Sequence, residues 1–204
     1  LRMIGIGLLA VIPFLTLKAQ KAMTPQDLQD WKRITTRAIS DDGQWAAAVF
    51  TPWKGDSEVQ LLSVDGKAVQ NYTPASEVKF SSSYAIVKKV PADALMDELK
   101  LKKTKKDKMP MDELIIRNLK NGTEWTIDSL KGYRLAEEGD WMAYQRTRKD
   151  SSLVVVSLDG AKKYVLPSAS AYGFAKEKAA LYFVTKEDKD GKKPGMYIWT
   201  AETP

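Results

Sequence analysis

"AISDDGQWAAAVFTP", residues 38–52, sets an Asp-Asp-Gly turn between a short approach and a run of small and large apolar residues. The same order returns in "EVKFSSSYAIVKKVP" (77–91), "YRLAEEGDWMAYQRT" (133–147) and "YGFAKEKAALYFVTK" (172–186). Each is followed by a further apolar run: "SEVQLLSVDGKAVQNYT" (57–73), "DELIIRNLKNGTEWTID" (112–128), "SSLVVVSLDGAKKYVLP" (151–167) and "GMYIWTAETP" (195–204). Period-two alternation from Ile34 onward predicts strands throughout. Asp65-Gly66, Asn121-Gly122 and Asp159-Gly160 supply dipeptides that tolerate positive backbone torsions, and so mark tight hairpins.

Ile39, Phe80, Leu135 and Phe174 hold the same place in the first strand of each unit. Their spacing is about 40 residues except where a lysine-rich insertion lengthens it, the period of a four-stranded propeller blade. A blade is apolar on both faces because it stacks between neighbours, which explains the near-continuous runs "AAAVF", "LVVVSL" and "ALYFV". A simple sandwich accounts for the strands but not for the matched order of turn, strand and hairpin. The expected fold is therefore all-β, a partial β-propeller of about four consecutive four-stranded antiparallel blades, preceded by a signal peptide and a short helix. The blades are placed at 34–74, 75–128 with the insertion at 92–111, 129–167, and 168–204, the last incomplete. An open ring leaves faces without a neighbour, so the chain reads as a propeller cut short.

Upstream, Arg2, the apolar run Met3 to Leu17 and the small residue Ala19 before Gln20 fit a secretory signal peptide over residues 1–19 better than an uncleaved anchor. The expected location is exported, periplasmic or secreted, with no stable membrane insertion after cleavage. "MTPQDLQDWKRI" then predicts a short helix within 20–33, with Thr24 as N-cap, Pro25 at the first helical position and Asp27 facing the free amides. Leu28 and Trp31 form its apolar stripe, laid over the edge of the next domain.

Composition narrows the chemistry. The chain has 204 residues, 44% of them hydrophobic, and can bury a core. Cysteine and histidine are both absent, so there is no disulfide framework, no thiolate metal site and no internal base for a Ser-His-Asp or Cys-His centre. The net charge of +6 is concentrated in Lys100–Lys108, six lysines and one aspartate, leaving the remainder at +1. No aromatic residue interleaves that run from Pro91 to Arg117, so a solvated, partly helical insertion is expected and no nucleic-acid partner. Asp41 and Asp42, Glu137 and Glu138, and Asp188 and Asp190 fall in surface turns and lack the spacing of a calcium loop, so they read as turn residues. Trp45, Trp125, Trp141 and Trp199 suggest a groove, but the equivalence of Trp45 and Trp141 favours packing between blades. No catalytic, cofactor-binding or metal residue is assigned, and no cofactor is implied.

The order of leader, helix and propeller, with the run "DLQDWKRITTRAISDDGQWAAAVFTPWKGDSEVQLLSVDGK", resembles the N-terminal part of exported prolyl oligopeptidase-like serine peptidases of the Bacteroidetes type. The resemblance rests on Trp31, Ile39 to Trp45, Pro52 to Asp56, and Lys100 to Leu114. It implies a full-length protein in which a propeller gates peptide access to an α/β-hydrolase domain with a Ser-Asp-His triad. That domain and a peptide substrate are the implied partners. This chain has neither a Gly-x-Ser-x-Gly elbow nor a histidine, so no catalytic residue carries over. The alternative is a periplasmic propeller that only binds a protein or glycan, with no enzymatic activity.

Overall fold

A computed structural model describes residues 22–25, 27, 31–67, 69–147, 152–186 and 194–201. The expected signal peptide, Leu28, and the Asp188–Asp190 pair lie outside the described residues. Among the described residues, fourteen antiparallel strands form sheets of four, seven and three, with an α-helix and a short 3₁₀ turn inserted between the sixth and seventh strands. The architecture is all-β and propeller-like.

The first sheet is β1 (Lys32–Ile39), β2 (Trp45–Pro52), β3 (Glu58–Ser63) and β4 (Val69–Tyr72), each paired with the next. β1 opens two residues before Ile34, where the alternation first shows, and inside the segment expected to be helical. Ahead of it, Thr24 and Asp27 cap a helical turn reciprocally. The Thr24 amide donates to Asp27 Oδ2 at 2.7 Å, and the Asp27 amide donates to Thr24 Oγ1 at 3.2 Å.

The second sheet joins two four-stranded units through one shared strand. Its strands are β5 (Ala75–Ser81), β6 (Tyr84–Lys89), β7 (Asp112–Asn118), β8 (Glu124–Leu135), β9 (Trp141–Arg146), β10 (Ser152–Ser157) and β11 (Lys163–Ser168). Residues 124–130 of β8 pair with β7, whereas residues 130–135 pair with β9. The change of partner occurs next to Ser129, whose φ of 55° turns the backbone left-handed. The third sheet contains β12 (Ala171–Phe174), β13 (Ala180–Thr185) and β14 (Gly195–Thr200).

Four units therefore follow one another: β1–β4, β5 to the first part of β8, the second part of β8 to β11, and β12–β14. Their registers match. Ile39 pairs with Ala46, Phe80 with Ala85, Leu135 with Met142, and Phe174 with Leu181. The expected hairpins form at Gly66, Gly122 and Gly160, all at positive φ.

Three cores lie between consecutive units, and strand alternation explains them. In β6, Ala85 and Val87 face unit 1, alongside Val49, Val59 and Leu61. Their neighbours Tyr84 and Ile86 face unit 3, alongside Met142, Val154 and Val156. In β10, Leu153 and Val155 turn toward unit 4 and meet Leu181, Phe183 and Trp199. A sheet with both faces covered needs apolar residues at every position, which is what "LVVV" provides.

The insertion contains α1 (Asp93–Leu101) and a 3₁₀ turn at Lys106–Lys108, and buries none of their residues. Its own N-cap position is Ala92, which has no capping side chain. Asp56, from the β2–β3 loop of unit 1, accepts the Asp93 amide at 2.7 Å instead.

Candidate functional site

With four strands per complete unit, the loops sort to two ends of the stack. At one, the hairpin end, lie the turns β1–β2, β5–β6 and β8–β9 together with the Asp-Gly and Asn-Gly hairpins. At the other, the crossover end, the chain enters β1 and passes from each unit to the next. The β2–β3 loop and the lysine-rich insertion are there too.

At the hairpin end, three turns that are far apart in sequence surround one depression of about 410 Å³. Asp41, Asp42, Ser81, Ser82, Ser83, Glu137, Glu138, Gly139 and Asp140 line it. Two of the carboxylate pairs thus come together, which the sequence did not reveal. Asp42 is committed to its own turn: Oδ1 accepts the Ser40 hydroxyl at 2.6 Å and the Gln44 amide at 3.0 Å. Those two bonds hold its carboxyl below the usual aspartate range. The Asp-Gly hairpins repeat the arrangement, with Ser63 donating to Asp65 Oδ1 at 2.6 Å and the Ala161 amide to Asp159 Oδ1 at 2.9 Å. Among the described residues, no group of His, Cys, Asp or Glu has the geometry to hold a metal ion. Turn chemistry is the role seen for Asp42.

At the crossover end, Trp31, Arg33, Thr51, Pro52 and Trp53 line a cleft of about 660 Å³. Its walls are the open ends of two paired strands, because Lys32 stands opposite Pro52 and Arg33 opposite Thr51. Thr51 is held from below, its hydroxyl 3.1 Å from Thr35 Oγ1 and 3.3 Å from Ser57 Oγ. Lys32 pairs with Glu58 at 3.0 Å, and that hydrogen bond, with one from Gln60, lowers the Glu58 carboxyl. Among the described residues, no carboxylate pairs with Arg33. Trp53 is 91% exposed and Trp31 58%. Trp31 was expected on a helix's packing stripe; it instead stands just before β1, with its ring available to solvent.

The four tryptophans suggested as a groove are elsewhere. Trp45, Trp125 and Trp141 are partly buried against the three cores, and Trp199 is buried within the third. Trp125 Nε1 donates to the Leu158 carbonyl at 2.9 Å, tying unit 2 to unit 3. Trp141, Tyr164 and Trp199 cluster, with the two indole rings edge to face at 5.1 Å. These side chains cement the interfaces and line neither concavity. The signal for the true cleft was faint, one tryptophan beside each end of a strand pair whose register only the structure gives.

No family model and no curated protein matches this sequence. Solved structures do. A prolyl endopeptidase shares 12% identity and a TM-score of 0.51, over 85% of this chain and 27% of its own. The β-propeller domain of the trilobed protease from Pyrococcus furiosus gives 10% and 0.49, over 84% and 55%. A eukaryotic initiation factor gives 12% and 0.49, over 83% and 40%. This chain thus spans about a quarter of the prolyl endopeptidase and about half of the trilobed-protease domain. At such identities the likeness is one of fold.

Proposed function

We propose that these units are consecutive blades of a propeller belonging to an exported serine peptidase of the prolyl oligopeptidase-like kind. In that reading the segment does no chemistry. It restricts which peptides reach a hydrolase domain carried elsewhere in the full-length protein.

The supporting observation is the matched register of the four units together with the fold-level likeness to a prolyl endopeptidase. The last unit adds to it. Val59, Leu114 and Leu153, and likewise Leu61, Ile116 and Val155, are fully buried against the following unit. The register-equivalent residues of β14 are Met196 and Ile198, apolar yet 72% and 71% exposed. A face with that pattern suits a further blade.

The reading frame downstream of residue 204 is expected to encode Gly-x-Ser-x-Gly, then Asp, then His. The full-length protein is then expected to take a fluorophosphonate label on that serine. A frame that adds only more blades, and a protein that stays unlabelled, would replace this reading with a propeller that binds a protein or glycan.

A further inference from the structure

The first turns of units 1, 2 and 3 close on one another at the hairpin end, and the depression of about 410 Å³ among them is lined by charge of one sign. Among the described residues, Asp41, Glu137, Glu138 and Asp140 form no ion pair, while the Asp42 carboxylate is engaged within its own turn. A concavity of one sign focuses its field and draws in counter-charge.

A second observation stands in the wall of this depression. Ser40, Ser81 and Ala136 share one register position, directly after Ile39, Phe80 and Leu135. The Ser40 hydroxyl donates to Asp42 Oδ1 and accepts the Trp45 amide at 2.9 Å. Ser81 is followed by Ser82 and Ser83, with no aspartate two residues on. Among the described residues its hydroxyl has no hydrogen-bond partner, although Ser81 is only 9% exposed and lines the depression. Strand alternation sets its direction, because Glu77, Lys79 and Ser81 share one face of β5. On that face Glu77 accepts the Tyr133 hydroxyl at 3.2 Å, and Lys79 Nζ lies 5.1 Å from the centre of the Tyr133 ring, so the face meets unit 3. Ser81 therefore turns toward the unit whose first turn carries Glu137, Glu138 and Asp140. A buried hydroxyl without a partner leaves hydrogen-bonding capacity unfilled.

From this conjunction we infer that the depression is a binding site for a cationic side chain of a peptide, the ammonium of lysine or the guanidinium of arginine. Ser81 Oγ accepts one of its N–H donors, and the surrounding carboxylates supply the opposing charge. A metal ion suits the site less. Among the described residues no acidic group has the geometry to ligate one, whereas these cations need only acceptors within hydrogen-bond reach. On the proposed peptidase reading, on which this role alone rests, basic peptides are the substrate class that the segment admits.

Calorimetric titration of the full-length protein with end-blocked peptides tests the site. Ala-Ala-Lys-Ala-Ala is expected to bind roughly tenfold or more tighter than the same peptide carrying Nε-acetyl-lysine, which keeps the shape and loses the charge. Ala-Ala-Arg-Ala-Ala in a third arm decides between the two cations. Ser81→Ala installs the residue that unit 3 already holds at this position, Ala136, and is expected to weaken binding about fivefold without lowering the melting temperature. Asp41→Asn with Glu138→Gln is expected to weaken it about tenfold, and Glu98→Gln on α1 to leave it unchanged. Equal binding of the lysine and acetyl-lysine peptides, or a Ser81→Ala protein that titrates as wild type, would overturn the site and leave the peptidase reading to the fluorophosphonate label. Selective binding by a protein that takes no label would keep the site and remove only the peptidase reading.

Discussion

The hydroxyl of Tyr72, the last residue of β4, donates a 2.6 Å hydrogen bond to Glu124 Oε1, the first residue of β8, and so links unit 1 to unit 2. Arg117 Nη1 donates to the same oxygen at 2.6 Å. Tyr72→Phe removes one bond and leaves Glu124 paired, so a loss of about 1 kcal/mol is expected. Glu124→Ala strands both a partly buried guanidinium and a phenol, and about 2–3 kcal/mol is expected. Urea midpoints of the two variants check the order, and equal losses would contradict it.

Leu114 is fully buried between units 2 and 3, whereas Leu101 at the end of α1 is 84% exposed. Leu114→Ala is expected to destabilise by about 2–5 kcal/mol, through lost burial and the cavity left behind. Leu101→Ala is expected to stay within about 0.5 kcal/mol. Thermal melts of the pair test whether the cores between units, and not the insertion, carry the stability.

Asp56 caps a helix that belongs to the neighbouring unit. Asp56→Ala is expected to weaken α1 by about 1 kcal/mol without lowering the global melting temperature, because α1 buries nothing. Hydrogen exchange should report it as roughly fivefold faster exchange confined to residues 93–101.

Asp42, Asp65 and Asp159 each accept a serine hydroxyl and a backbone amide, and all three carboxyls lie below their ordinary value of 3.8. The unfolded chain therefore binds protons more readily than the folded one in the acid range. Their contribution is complete above the unfolded carboxylate values, declines as pH falls below them and is gone once pH has passed the lowered folded values, so denaturant midpoints should drop below about pH 5. Asp65→Asn with Asp159→Asn should flatten that slope.

At high pH the sign reverses. Burial first, and then Glu124 and Glu77 respectively, push the phenols of Tyr72 and Tyr133 well above the ordinary 10.0. The folded chain holds those protons more tightly than the unfolded one, so this contribution is full below pH 10.0 and declines above it. Tyrosinate absorbance from these two should appear only with unfolding, which circular dichroism followed in parallel will show.

Much of the fold was legible because the turn chemistry is local. Asp65-Gly66, Asn121-Gly122 and Asp159-Gly160 mark hairpins on their own dipeptides, and Ile39, Phe80, Leu135 and Phe174 keep one register through all four units. What escaped depends on residues distant in sequence. Asp41 and Glu137 line one depression only because successive units stack, and Asp56 finds the Asp93 amide across a sheet boundary. The continuity of β8 escaped for another reason: the alternation of "EWTIDSLKGYRL" looks the same whether one strand changes partners or two strands adjoin. Trp31 was misplaced because the stripe rested on one pair, Leu28 and Trp31, and one pair does not mark where a helix stops ahead of β1.

That shared strand distributes compliance unevenly. Units 2 and 3 share one continuous strand, β8, whereas units 1 and 2 meet at residues 73–74, and units 3 and 4 at residues 169–170, where no strand is continuous. Bending at those two seams breaks side-chain contacts and, at the first, the 2.9 Å bond from the Ala75 amide to the Ser57 carbonyl, but no strand-pairing ladder. Opening of the stack is therefore expected to begin at those two seams and not within the pair of units that β8 spans.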